Sequence, residues 1–218
     1  MAMRSDEASR RPAKGRPQTR PSEPAILAAA LEAFGGKGFN GSSMRDIARL
    51  AGTSLANLYN YVPSKGHLLA MVLQQANDEL LTELRDSVPE QASDAERLTA
   101  AVTAYVRWTA RSQMAGVVAL SEFRYLEGEQ REAVVAARDT TQAIFTQIVE
   151  HGVATGEFGT PFPRLAARNI VLTCSALATW YRPDGPENPE VVAEQQARLA
   201  RAVVEPRAEP RIDMAARD

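Results

Sequence analysis

The stretch SSMRDIARLAGTSLANLYNYVPSKG, residues 42–66, constrains this chain more than any other. It is punctuated for two very short helices. Ser43 suits an N-cap and Asp46 stands three residues on, a box-like capping pair. Met44, Ile47, Ala48 and Ala51 then recur with helical spacing. Gly52 breaks that helix, and Thr53 or Ser54 caps the next, which runs to about Tyr61. Two short helices joined by a tight glycine-bearing turn read as a helix-turn-helix. Upstream, Ser22 and Pro24 open a helix whose Leu27, Ala30, Leu31 and Phe34 mark one face, with Gly35, Gly36 and Gly38 expected to end it. Downstream, Ser64 caps a helix with a Leu69, Val72, Leu73, Ala76, Leu80 stripe, running to about Asp86 before Pro89.

The remainder is helical in pattern. Ser93 and Glu96 form a second capping box ahead of Leu98, Ala101, Val102 and Tyr105. Helices are expected over 117–126, after Gly116, and over 129–152, where Val134, Val135, Phe145, Ile148 and Val149 recur. Residues 152–163 read as loop. The segment 165–181 is apolar nearly all round, which demands burial on several sides. RPDGPENP (182–189) is a break, and Asn188-Pro189 starts a last helix to about Val204. No strand pattern or internal repeat emerges. The reading is all-α, about nine helices: an arm 1–21, a helix-turn-helix head 22–70, a helical body 71–205 and a tail 206–218.

Charge is distributed unevenly. Residues 1–70 carry ten Lys/Arg against five Asp/Glu, and the rest fifteen against twenty-two, a basic head on an acidic body. The arm concentrates this in Arg10, Arg11, Lys14, Arg16 and Arg20. Its Lys-Gly-Arg-Pro core, with Arg16, resembles a minor-groove hook; a flexible basic segment enters a narrow minor groove readily. A merely solubilising tail is the alternative. One cysteine, Cys174, and two distant histidines, His67 and His151, exclude an internal disulfide and a Cys/His metal cluster. No secretory signal precedes the head, and the longest uncharged apolar stretch, 169–181, is too short for a bilayer. A cytoplasmic protein is expected. No nucleophile with a spaced partner and no phosphate-cradling glycine loop suggests an enzyme, and no metal or cofactor is expected.

A recognition helix needs short or planar polar groups at its front and phosphate contacts on its flanks. Thr53, Ser54, Ala56 and Asn57 occupy the front of the third helix; Asn pairs with adenine and Ala meets a thymine methyl. Tyr59, Asn60 and Tyr61 reach phosphates, although the Tyr61 ring could equally pack in the head. Lys65 sits in a helical first turn, where a cation opposes the dipole and an anion contact would explain it.

The segment 24–72 resembles the DNA-binding head of TetR-family transcriptional regulators. The pieces that carry the resemblance are Ala30-Leu31-Phe34, Gly38-Phe39, Ser43-Met44-Arg45-Asp46-Ile47-Ala48, Ala51-Gly52-Thr53-Ser54, Leu58-Tyr59, Tyr61 and Ser64-Lys65. Val62 stands where a phenylalanine is usual and Gly66 where an acidic residue is usual. Gly35-Gly36 weakens the first helix by about 1 kcal/mol each relative to alanine. The resemblance implies Ser43 and Arg45 as further DNA contacts. It also implies a homodimer, through helices 165–181 and 189–204, on a palindromic double-stranded operator, released by a small-molecule inducer. SEFRYLEGEQREAVVAARD, GVATGEF and WYRPDGPENPEVVAEQQARL are similar to the branch that answers acyl-CoA thioesters. A thioester ligand implies an apolar channel with cations for phosphate. Candidate lining residues are Trp108, Phe123, Tyr125, Phe145, Asn169, Thr173, Cys174 and Trp180; candidate phosphate partners are Arg107, Arg111, Arg124 and Arg168. Core packing is the competing reading for each aromatic, and Cys174 reads as an inert buried thiol. His151, near a helix end, reads as a surface residue. The competing function is an architectural DNA-binding protein of the same fold, without an inducer.

Overall fold

The computed structural model describes residues 22–205. Among them are nine α-helices, one short 3-10 helix and no strand: α1 (Glu23–Gly41), α2 (Met44–Leu50), α3 (Leu55–Tyr61), α4 (Lys65–Ser87), α5 (Asp94–Arg111), α6 (Gln113–Ser121), the 3-10 turn Phe123–Tyr125, α7 (Gly128–Thr155), α8 (Pro163–Trp180) and α9 (Pro189–Val204).

The caps explain most boundaries. The Ser43 hydroxyl oxygen accepts from the Asp46 amide while the Asp46 carboxylate accepts from the Ser43 amide, and Ser93 and Glu96 repeat the arrangement at α5. Ser54, Ser64 and Asn188 cap α3, α4 and α9. Ser22 occupies the cap position of α1 without a side-chain bond; Pro24 pre-sets the first turn instead.

Two expected boundaries are corrected. The first helix runs straight through Gly35-Gly36 and is broken only at Gly38, the third of the glycines expected to end it, where φ is +70° and ψ 168°, a conformation that favours glycine, before a last turn to Gly41. Gly35 instead lets another helix approach: an added Cβ would lie 2.7 Å from Met114 Cγ of α6. The sixth helix starts at Gln113 rather than after Gly116 and closes at Ser121, the 3-10 turn following. Gln113 anchors its start by donating to the carbonyls of Ala178, 3.2 Å away, and Tyr181, 2.5 Å away. Gly116 lies inside α6 because α8 crosses there: a Cβ would sit 2.7 Å from that of Ala178. The outer helices of the body, α7 to α9, follow the expected ranges within a few residues.

Two hydrophobic clusters organise the packing. One gathers Ile26, Ala30, Phe34, Ile47, Leu58, Leu68 and Leu73 from α1 to α4, together with Val118, Leu126 and Val134. The other gathers Leu80, Leu84, Leu98, Val102, Tyr105, Phe145, Ile148, Ile170 and Leu177. α4 contributes to both, its first half to one and its second half to the other. The head is therefore bolted to the body by one continuous helix and by α6, whose Val118 enters the head's cluster.

Candidate nucleic-acid interface and ligand cavity

The helix-turn-helix presents a polar row. On α3, Ala56, Tyr59, Asn60 and Tyr61 are exposed and Asn57 is half-buried, with Leu58 turned fully into the core. Tyr59 and Tyr61 are 50% and 42% exposed, so neither is a core aromatic. Ser54 caps α3 by accepting from the Asn57 amide at 3.1 Å. On α2, Arg45 is exposed and forms no ion pair among the described residues; Ser43 is exposed but its hydroxyl donates to Asp46 at 2.6 Å.

Two residues of this set behave otherwise. Thr53 is 8% exposed and its hydroxyl is buried without a partner, so it does not offer that oxygen to a base. Its amide instead closes the turn on the Ala48 carbonyl at 2.9 Å. Lys65 is half-buried. Its ammonium donates to the carbonyls of Phe39 (2.6 Å) and Ser42 (2.8 Å) and sits 4.3 Å from the Phe39 ring centroid. The lysine in the first turn of α4 thus neutralises the carbonyl end of α1 and fixes the link into α2, the favourable side of the dipole rule applied to a different helix. Arg16 lies outside the described residues.

In the body, a cavity of about 390 Å³ opens between α4, α5, α6, α7 and α8. Leu73, Ala76, Leu80, Trp108 and Gly116 give it apolar inner walls. A polar string runs along it. The Tyr105 and Ser175 hydroxyls are 2.9 Å apart, Thr141 donates to the Asn77 side-chain oxygen at 3.3 Å, and Asn77 donates to the Ala137 carbonyl at 3.0 Å. Burial pushes the Tyr105 phenol up to about 12, so it stays protonated. Arg138, Asp139 and Arg168 are the charged lining residues. Arg138 donates to the Ala119 carbonyl at 2.5 Å and lies 4.1 Å from the Phe123 ring centroid. Burial lowers its pKa, and neither it nor Arg168 has a carboxylate partner among the described residues.

Of the lining residues expected from the sequence, Trp108 is in the cavity wall, and so is Arg168 among the expected phosphate partners. The others are placed elsewhere. Phe145 is wholly buried, packed near Tyr105 in the core. Phe123 lies beside the cavity under Arg131 and Arg138. Tyr125 stacks on Phe39 of α1 at 5.2 Å, with Arg124 over its ring. Asn169, Thr173 and Trp180 lie on the exposed side of α8, where Thr173 accepts from Gln196. Arg111 pairs with Glu83 at 2.8 Å, and Arg107 with Glu190. Cys174 is fully buried, its thiol pushed up to about 12 by burial, which keeps it unreactive. His151 is exposed and bonds the buried Asp94 carboxylate at 2.7 Å. Sequence reasoning missed Asn77, Tyr105, Arg138, Thr141 and Ser175. Each is a polar residue within an apolar helix stripe, a signal visible in the sequence but shared with ordinary cap and turn residues.

Comparison with known proteins matches this geometry. A sequence model for "Bacterial regulatory proteins, tetR family" matches residues 26–72, and one for "Tetracyclin repressor-like, C-terminal domain" matches residues 91–204. The chain is 27% identical over 172 residues to the HTH-type transcriptional repressor KstR2 of Rhodococcus jostii (strain RHA1), over 78% of this chain and 84% of that protein. The crystal structure of a bacterial regulatory protein in the tetR family from Rhodococcus RHA1 aligns with a TM-score of 0.80 and 27% identity, covering 86% of this chain and 100% of that one. AibR, solved in complex with isovaleryl coenzyme A and operator DNA, aligns with a TM-score of 0.75 and 22% identity, covering 81% of this chain and 96% of its own.

Proposed function

Since the chain belongs to the TetR family of transcriptional regulators, we propose that it is a ligand-responsive repressor. In this reading it binds a palindromic operator as a homodimer and is released by an anionic ligand with an apolar part, of which an acyl-CoA thioester is the candidate. α3 enters the major groove with Ala56 and Asn57 at base edges. Tyr59, Asn60, Tyr61 and Arg45 take phosphates, Ser43 having both its donors on Asp46, and the arm with Arg16 reaches the minor groove. Lys65 has one donor left over from its two carbonyls and contributes mainly by holding α1 to α4.

The observation that carries the ligand reading is the cavity itself. Its volume is within the range of small-molecule sites, its inner walls are apolar, and two arginines without carboxylate partners line it. Arg168 is exposed and suited to phosphate, while the inner walls take the acyl group. The cavity favours a ligand-responsive regulator over an architectural one. That a protein of the same fold was solved with isovaleryl coenzyme A supports a thioester. Binding releases DNA if the ligand prefers a head spacing other than the roughly 34–36 Å needed for successive major grooves.

A shift assay on the DNA flanking its own gene, challenged with acyl-CoA thioesters of graded length and with their free acids, tests the reading. Release by a thioester and not by its acid is the expected result, with the response weakened in Arg168→Gln. Asn57→Ala should cost about 1–3 kcal/mol of specific DNA affinity. Equal affinity in the variant would remove Asn57 from the base-reading set, and indifference to every thioester would remove the acyl-CoA assignment.

A further inference from the structure

A second recess, of about 920 Å³, lies open between the start of α1, the length of α4 and the corner where α5 meets α6. It is lined by five carboxylates, Glu23, Asp78, Glu79, Glu83 and Asp86, against one cation, Arg111, which Glu83 already holds at 2.8 Å. Glu23, Asp78 and Asp86 form no ion pair among the described residues. Leu27, Met71 and Trp108 supply an apolar part of the wall. Trp108 is 5% exposed, and its indole Nε1–H is buried without an acceptor. Neither the DNA-facing row nor the ligand cavity uses this acidic face of α4.

The described chain starts at Ser22, next to Glu23 on the rim of this recess. The eleven residues 10–20 just before it carry five cations and no acid. We propose that the recess is a docking surface for the chain's own basic arm, with Lys14, Arg16 and Arg20 set along the carboxylates of α4. The recess is long enough: an extended segment would advance about 3.1 Å per residue, so Arg20 to Lys14 would cover roughly 19 Å, and Met71 to Asp86 on α4 rises roughly 22 Å at about 1.5 Å per residue, its carboxylates lying in the Asp78 to Asp86 part with Glu23 on the rim. Exposed ion pairs are individually weak, but a short tether holds the arm at about millimolar effective concentration, which lets several act together. The same cations cannot serve the recess and a duplex at once. DNA therefore has to take the arm from α4, and DNA-free protein keeps it occupied. Docking itself does not depend on how the arm meets DNA; the effect on DNA affinity rests on the arm's proposed minor-groove role.

The test uses the full chain, labelled with a fluorophore at Ser9→Cys (Cys174 is buried and does not compete for the label). It is compared with the same chain carrying Asp78→Asn, Glu79→Gln and Asp86→Asn. These are exposed helix positions, and an unchanged melting temperature checks the fold. Docking predicts lower label anisotropy and trypsin cleavage after Arg10 and Lys14, the two basic residues of 10–20 not followed by proline, about fivefold faster or more in the variant, a shift set by the tether's effective concentration. It also predicts that the parent's anisotropy falls to the variant's value in about 1 M salt, where the screening length is about 3 Å. Equal cleavage rates and equal anisotropy in the two proteins would overturn the proposal. Binding of a generic duplex separates the two readings. A freed arm with tighter duplex binding supports both. A freed arm with unchanged duplex binding keeps the docking and discards the arm's role on DNA.

Discussion

Lys65 shows how a residue singled out for one chemistry can be committed to another. In the sequence it is a cation in the wrong half of its own helix. In the fold it caps a neighbouring helix, and its ammonium takes two carbonyls at 2.6 and 2.8 Å. Charge-assisted hydrogen bonds of this kind are worth about 1.5–3 kcal/mol to remove when the acceptors stay away from water. Lys65→Met should therefore lower unfolding free energy by about 1–3 kcal/mol in urea titrations, reduced from the full penalty because the site is half-buried. A phosphate role alone would leave that midpoint untouched and take about one from the salt slope of DNA binding. Thr53 carries the same lesson in reverse: a good capping and base-reading residue by type, it is enclosed where the turn folds back on α2, and Ser54 does the capping.

At the scale of elements, the decisive piece is the short segment between α6 and α7. Glu122, 7% exposed, accepts the Phe39 amide at 2.8 Å, directly after the left-handed Gly38, and Tyr125 stacks on the Phe39 ring. Phe39 is thus held by α4 through Lys65 and by the body through Glu122 and Tyr125. On the other side of the same segment, Phe123 lies against Arg138 of the cavity. Glu122→Ala should leave the Phe39 amide without its acceptor, at a cost of about 1–3 kcal/mol. By hydrogen exchange that amide should lose at least about tenfold protection, 1.4 kcal/mol being a factor of ten. Unchanged protection would mean that Glu122 does not hold the head. The segment was expected to be helix through residue 126. A helix would have carried Phe123 and Tyr125 past both of their partners.

For the molecule as a whole, half of the large apolar residues left exposed among the described residues lie on the last two helices. Val191, Leu199 and Val203 of α9 stand at helical row spacing with Gln195 between Val191 and Leu199, and are 49%, 62% and 47% exposed. Leu165, Leu172 and Trp180 of α8 are each more than half exposed. Their opposite faces, Val192, Ala193, Ala197 and Ala200 on α9 and Ile170, Cys174 and Leu177 on α8, are already in the core. In the proposed homodimer two copies of this pair would make a four-helix interface, so Leu199→Glu with Val203→Glu should halve the sedimenting mass at micromolar concentration; an unchanged mass would place the interface elsewhere. The run 165–181 was expected to be buried on several sides because it is apolar nearly all round; within one chain only the Ile170, Cys174 and Leu177 side is covered. Helix order, caps and the polar row of α3 were determined by the sequence alone, because hydrogen-bonding caps and 3.6-residue periodicity are local physics. What only the tertiary structure decided was which side chains share a space. The cavity takes Tyr105 and Arg138 and not Phe145 or Thr173 because helix rotation and crossing distance, set where glycines such as Gly116 let neighbours approach, choose which polar residue of a stripe faces inward.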